Sequence, residues 1–316
     1  MTRAFFVTDV HGSERCFLKF INAAKAYNAK ILILGGDITG KMVIQIVRQS
    51  DGTWRSQLFG SDMLANSEEE VTKLEKIIRD CGYYPYRTTE DEMTELEADR
   101  LKVDALFTRL MCESVARWVE IANQRLAGTD AVCYISPGND DRLDIDAYLT
   151  DTKCVINPEE KRVQLTPHHE MITLGATNHT PWHTPREFSE EELAAKISAL
   201  VDQVVDMPNA IFNFHCPPAN TLIDAAPKLD ATLRPVITGG QLQWISAGSV
   251  AVRASIEKHQ PLVGLHGHIH ESKGVAKIGR TLCLNPGSEY GEGILRGAVL
   301  ELGDKGGIKS HVFTSG

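Results

Sequence analysis

The feature that most narrows what this chain can fold into is a recurring one: short apolar, β-branched runs, each cut off by a polar or glycine-rich stop. Seven of them are AFFVTDVHG (4 to 12), KILILGGD (30 to 37), AVCYISPGND (131 to 140), MITLGATNH (171 to 179), AIFNFHCPP (210 to 218), PLVGLHGHIH (261 to 270) and TLCLNPGS (281 to 288). Runs this short, apolar at consecutive positions, suit strands buried on both faces. Helical patterns lie between several of them, over 13 to 28, over SEEELAAKISALVDQVVDMP (189 to 208) with its capping-box start, and over SVAVRASIEKHQ (249 to 260). Alternating strands and helices predict an α/β layer architecture, with ligands at the C-terminal ends of strands. The tail RGAVLELGDKGGIKSHVFTSG reads as two closing strands around a glycine-rich turn.

Residues 41 to 129 break this rhythm. VIQIVRQSDGTWRSQLFG predicts a hairpin turning at Asp51 and Gly52. One helix is expected from SEEE (67 to 70) and a second from TEDE (89 to 92) to Gly128. Met93, Leu96, Leu106, Leu110, Val115, Trp118, Val119 and Leu126 give the second an apolar stripe. The stripe suits packing against the body of the protein, and the alternative is a surface for a partner or a homodimer contact. We read the chain as one domain, 1 to 316, with 41 to 129 as an inserted hairpin-plus-helix cap.

Composition excludes several function classes. With 316 residues, 42% of them hydrophobic and 24% charged, the chain can bury a large core and does not read as disordered. A net charge of -9 argues against a broad electrostatic footprint for nucleic acid, leaving only the narrow route of a site made cationic by metal ions. The seven scattered cysteines form no CxxC pair and read as reduced thiols of an intracellular protein. No stretch approaches about 18 consecutive apolar residues, and MTRAFFVTDVHG lacks a basic and then apolar leader, so a soluble, cytoplasmic protein without a membrane partner is expected.

The chemistry-bearing residues sit where the apolar runs end. Asp9 and His11 form DVH, Asp37 closes LGGD, Asn139, Asp140 and Asp141 stand in PGNDD, His215 ends FNFH, and His268 and His270 close GLHGHIH. Oxygen ligands mixed with imidazoles suit Mn, Fe or Zn rather than calcium or a thiolate zinc site. Seven of these nine residues could hold two ions sharing one carboxylate. GGDITGKM nearly fits a phosphate-binding P-loop, but Met42 stands where a hydroxyl is required and a hairpin is expected where a helix should follow.

Each motif alone is weak, but the ordered set DVH, GGD, GNDD, HCPP, GHIH and NPGS, spanning 9 to 288, resembles the calcineurin-like metallophosphoesterase superfamily. The resemblance implies a four-layer α/β/β/α sandwich of two mixed sheets with a two-metal centre across the strand ends. It places Asp9, His11 and His270 on one ion, Asn139, His215 and His268 on the other, and Asp37 on both. Two divalent transition-metal ions are implied, Mn being favoured over Fe, Zn or Co, together with hydrolysis of a small phosphate ester by a metal-bridging hydroxide. Non-catalytic metal-bearing scaffolding, with the helical insertion engaging a partner, is the alternative.

The sequence departs from the family pattern once. The family has GNH followed by an acid, its histidine protonating the leaving group, and here Asp140 and Asp141 follow Asn139. A carboxylate beside two dications is a poor proton donor, so diesters or substrates with good leaving groups are expected over alkyl monoesters. His179, His183 and His266 are the candidates to replace that acid. Asp141 would orient this loop or a ligand, and His266 is expected in a supporting role, with substrate contact as its alternative.

Overall fold

Two six-stranded mixed sheets lie face to face in the computed structural model, which describes residues 1–316. The first runs Ile308–Ser315, Arg296–Leu302, Thr2–Val7, Ile31–Gly35, Val132–Ser136, Val155–Ile156; the second runs Gly274–Ile278, Thr281–Asn285, Val263–Leu265, Ala210–Phe214, His169–Leu174, Arg162–Thr166. Thr2–Val7 pairs parallel with Ile31–Gly35 and antiparallel with Arg296–Leu302, so the predicted closing strands extend an otherwise parallel sheet. Parallel strands also form the centre of the second sheet.

Alternation along each strand explains the layering. Ala4 and Phe6 turn inward with Ile31 and Ile33 and meet Met171, Ile211, Val263 and Leu265 of the other sheet. Their neighbours Phe5, Val7, Leu32 and Leu34 turn outward to the helices. The helices are α1 (Glu14–Ala26), α2 (Glu68–Asp80), α3 (Glu90–Glu97), α4 (Arg100–Leu126), α5 (Glu190–Val201) and α6 (Val250–His259). Helices α1 and α4 cover the first sheet, while Leu193 and Ile197 of α5 and Val252 and Ile256 of α6 cover Phe212 and Phe214 of the second. Full burial of each such large side chain contributes about 1.5–3 kcal/mol, which is what holds the helices on the sheets. The result is the four-layer sandwich that the resemblance implies.

Helix starts follow the sequence signals. Ser13, Ser189 and Ser249 each accept a backbone N–H of the first turn, and at Ser189 the capping box is completed by the Glu192 carboxylate, which accepts the Ser189 N–H. At Ser67 the box is only half made, because the Glu70 carboxylate accepts the N–H of Asn66 instead.

Residues 41–129 differ from expectation in two respects. The hairpin pairs Val43–Arg48 with Trp54–Leu58, but Ser61–Ala65 and Tyr84–Thr89 complete a four-stranded sheet. The helix expected from 89 to 128 breaks at Ala98 and Asp99, where the Asp99 side chain caps Leu101 N–H and restarts the chain as α4. The small sheet and α2 bury their own cluster, with Ile46, Val71 and Ile78 at its centre. Helix α4 packs elsewhere: Met111, Val115, Trp118 and Ala122 belong to the main core, and Trp118 stacks on Phe17 with ring centroids 4.2 Å apart. The apolar stripe read from the sequence is therefore divided, its α4 part being core.

Between His215 and α6 the chain forms small two-stranded pairings over residues 225–246 that no periodicity announces. No helix is long and apolar enough to cross a membrane.

Candidate metal centre

Five core strands end in loops that meet at one place, delivering Asp9 and His11, Asp37, Asn139 to Asp141, His215, and His266 to His270. Four of these residues adopt the left-handed backbone region: Asp9 at φ 54°, His11 at 39°, Asp37 at 51° and His268 at 68°. For residues with a Cβ that conformation costs about 1–3 kcal/mol each and persists only where surrounding structure imposes it. The imposing contacts are visible. Asp9 N–H donates to Gly36 O and His11 N–H to Asp37 O, both at 3.0 Å, and His268 N–H donates to both Asp9 carboxylate oxygens at 3.1 Å. A Cβ on Gly267 would stand 2.1 Å from Thr8 Oγ1 and 2.4 Å from Asp9 Oδ2, so only glycine lets the GHIH turn come this close.

The side chains converge tightly. One ligand-type atom from each of Asp9, His11 and His270 lies within 4.8 Å of the others, and the same holds for Asp37, His215 and His268 and for His11, Asp37 and Asp140. Asp37 Oδ2 stands between the two imidazole sets, 3.6 Å from His11 Nε2 and 3.4 Å from His215 Nε2. Asp9 Oδ1 lies 3.4 Å from His270 Nε2 and 3.8 Å from His215 Nε2.

Charge in this buried cluster is strongly tuned. Burial raises the Asp9 carboxyl, but His215 and His270 outweigh it and hold the group at about 2. Burial pushes His11 down to about 3 and His268 down to about 4, keeping both imidazoles neutral and able to donate lone pairs. Burial acts the same way on His215, but Asp37 and Asp9 overcome it and raise the ring to about 10.

The donor set fits divalent transition ions. His11 Nδ1, His215 Nε2 and Asn139 Oδ1 are buried without hydrogen-bond partners, and His11 Nε2 faces His270 Nε2 at 3.1 Å. Orphaned buried acceptors of this kind are costly in a core and suited to coordination. Surrounding groups fix their orientation: His215 Nδ1 meets Gly35 O at 2.9 Å, which leaves Nε2 as the free nitrogen. Asn285, from NPGS, donates to Ile269 O at 3.0 Å, and Ser288 donates to Asp9 O at 2.6 Å, so that motif braces the GHIH and DVH loops together.

The two acids of GNDD have different surroundings. Asp141 is fully buried and points at backbone, accepting from the N–H groups of Ile38, Thr39 and Gly138 and from Thr39 Oγ1. It ties the Asp37 loop to the Asn139 loop and occupies the amides a P-loop would open to phosphate; a strand follows Lys41, as expected. Asp140 N–H donates to Asp37 Oδ1 at 3.0 Å, while its carboxylate lies 3.8 Å from His11 Nδ1 and 2.6 Å from Lys41 Nζ. Within the protein alone, burial and then Asp37 raise this carboxyl, and Lys41 opposes them.

Of the histidines considered as replacement acids, His266 is buried with Nδ1 against Phe214 O at 2.8 Å. His179 and His183 are exposed, on a loop that reaches the site through Thr184, whose hydroxyl oxygen accepts from Asn139 Nδ2 at 2.8 Å. Thr184 was not foreseen, and neither was Tyr290, whose ring packs on His11 at 4.7 Å between centroids. Its only sequence signal is its position just after NPGS.

The segment around Gly82 meets the loops around Gly12 and Gly40 backbone to backbone. A Cβ on Gly12 would stand 2.7 Å from Gly40 Cα and from Gly82 O, one on Gly40 2.2 Å from Gly82 O, and one on Gly82 2.4 Å from His11 O. Ser13 Oγ donates to Asp80 O at 2.8 Å alongside this contact.

Comparison with known proteins adds to the geometry. No family model matches the sequence. Over 152 residues the chain is 32% identical to the uncharacterized protein MJ1162 of Methanocaldococcus jannaschii, a match covering 48% of this chain and 61% of that relative. Two solved structures share its trace over nearly the full length. One has a TM-score of 0.57 at 16% identity, covering 97% of both chains. The other, TT1561 of Thermus thermophilus, has a TM-score of 0.54 at 13% identity, covering 100% of this chain and 98% of that one. These two likenesses show a shared mixed α/β fold and nothing finer.

Proposed function

We propose that this metallophosphoesterase-fold protein hydrolyses a small phosphate ester, preferring diesters, with two divalent transition-metal ions at the strand-end cluster. The observation that carries the reading is Asp37 Oδ2 standing between His11 Nε2 and His215 Nε2, beside the buried, unpartnered His11 Nδ1, His215 Nε2 and Asn139 Oδ1. In this reading Asp9, His11 and His270 hold one ion, Asn139, His215 and His268 the other, and Asp37 both. Manganese is the favoured metal, with Fe, Zn or Co able to use the same donors. Such a pair supplies a hydroxide nucleophile at neutral pH and neutralises charge on the phosphoryl oxygens.

The protein's own residues do the rest. Asp141 fixes the two loops that carry Asp37 and Asn139, and the Gly267 turn sets His268 and His270 at their separate places. Asp140, paired with Lys41, offers no ready proton to a leaving alkoxide, which favours diesters with good leaving groups. The proposal takes the chain as one domain, with 41–129 as an insertion bordering the cluster, and places it in the cytoplasm.

The test is hydrolysis of a bis-aryl phosphodiester and the matching aryl monoester by protein reloaded with Mn²⁺, with His268→Ala as control. Diester turnover that exceeds monoester turnover and disappears in the variant supports the proposal. Two bound ions without turnover of either ester would favour a metal-bearing scaffold that uses the insertion to engage a partner.

A further inference from the structure

GGDITGKM is no nucleotide loop, yet its lysine stands at the edge of the cluster. Lys41 Nζ is 2.6 Å from Asp140 Oδ2, and its side chain is 49% exposed against 26% for Asp140. Asp140 in turn touches the cluster twice, through its N–H to Asp37 Oδ1 and its carboxylate near His11 Nδ1. An ammonium has three donors, and the bond to Asp140 uses one of them. The backbone just before Lys41 is fixed from the insertion, since Gly40 N–H donates to Tyr84 Oη at 2.7 Å. A half-exposed cation is thus held at the edge of the buried cluster by a carboxylate that has no hydrogen-bond donor besides it.

We propose that Lys41 binds a non-bridging phosphoryl oxygen of the substrate, and that Asp140 is the anion that holds its ammonium in place in the free protein. The inference rests on the phosphate-ester reading above and deepens it, making Lys41 a substrate-binding residue contributed by the start of the insertion. Asp140 then explains itself: a carboxylate at this position keeps the lysine aimed across the cluster mouth, where a neutral residue would let it swing into solvent.

The experiment measures binding of inorganic phosphate by calorimetry to Mn²⁺-reloaded wild type, Lys41→Ala, Lys41→Arg and Asp140→Asn, with metal content and circular dichroism recorded for each. A charge-assisted contact of this kind predicts phosphate affinity about tenfold weaker in Lys41→Ala, with Lys41→Arg restoring part of it. For the aryl diester, KM rises by a similar factor in Lys41→Ala while kcat changes less. Asp140→Asn, which lets the ammonium swing into solvent, weakens phosphate binding, and an added double variant, Lys41→Ala with Asp140→Asn, binds no more weakly than Lys41→Ala alone. Equal phosphate affinity in Lys41→Ala and wild type, at equal metal content, overturns the proposal, as does a loss confined to kcat. If wild type binds phosphate through Lys41 but turns over no ester, the lysine contact stands and the hydrolase reading falls. If esters are turned over while phosphate binding is indifferent to Lys41, the hydrolase reading stands and the lysine contact falls.

Discussion

Asn139 Nδ2 donates to Thr184 Oγ1 at 2.8 Å, and Thr184 in turn donates to the Glu187 carboxylate at 2.6 Å. This chain turns the amide so that Asn139 Oδ1 is buried with no partner of its own. Thr184→Val keeps the shape and removes the acceptor. Supporting contacts of this kind are worth about 10- to 100-fold in metal affinity. Titration against a chelating dye is expected to show one of two ions weakened and the other retained; equal affinity for both ions in variant and wild type would count against the role given to Thr184.

Removing metal should loosen the whole strand-end junction, because Asp9 and Asp37 are buried side by side there. An ion present at 100 times its dissociation constant stabilises the folded state by about 2.7 kcal/mol. Thermal melts with and without Mn²⁺ are expected to differ by several degrees, with His268→Ala showing a smaller difference. A melt that ignores the metal would contradict the proposed donor set.

Gly82 has φ +91° and would bring a Cβ within 2.4 Å of His11 O. Gly82→Ala therefore combines backbone strain with a clash on a metal-site loop, and a loss of about 1–3 kcal/mol is expected in urea unfolding. Metal affinity should fall with it. Gly52→Ala is the control, since φ there is +84° but nothing lies within 4 Å, so only the strain is incurred and metal affinity should be unchanged.

Glu159 offers a pH test away from the metal ligands. Burial pushes its carboxyl from 4.5 up to about 8, although Gly175 N–H donates to it and Arg186 favours its charge. The folded state therefore keeps a proton that the unfolded chain releases, and stability falls as pH rises from about 4.5 to about 8, then levels off. Glu159→Gln removes that slope. Urea midpoints for the two proteins should diverge across this window in favour of the variant; parallel midpoints would show that the carboxyl titrates normally.

What could be read from the sequence was whatever repeats or ends abruptly. Apolar runs cut off at Asp9, Asp37, His215 and His268 announced buried strands and the side chains at their ends, and serine caps located four helix starts. Contacts between segments remote in sequence were silent. Nothing near Asn139 points to Thr184, and nothing in GNDD shows that Asp141 turns to backbone amides while Asp140 turns to Lys41. The strands Ser61–Ala65 and Tyr84–Thr89 were missed because SDMLA and YPYRTT are too polar to show a two-residue period. The break before α4 was missed because helical spacing continued across Ala98 and Asp99.

The meeting of Gly12, Gly40 and Gly82 bears on how this protein could diversify. Three main chains packed this closely restrict a hinge at that point, so the small sheet is expected to stand beside the cluster as a wall rather than swing over it as a flap. A foreign segment grafted between the same two strands would have to reproduce that three-way seam. Exchange of this insertion between relatives is therefore constrained less by what the graft carries at its tip than by the three residues where it touches the body.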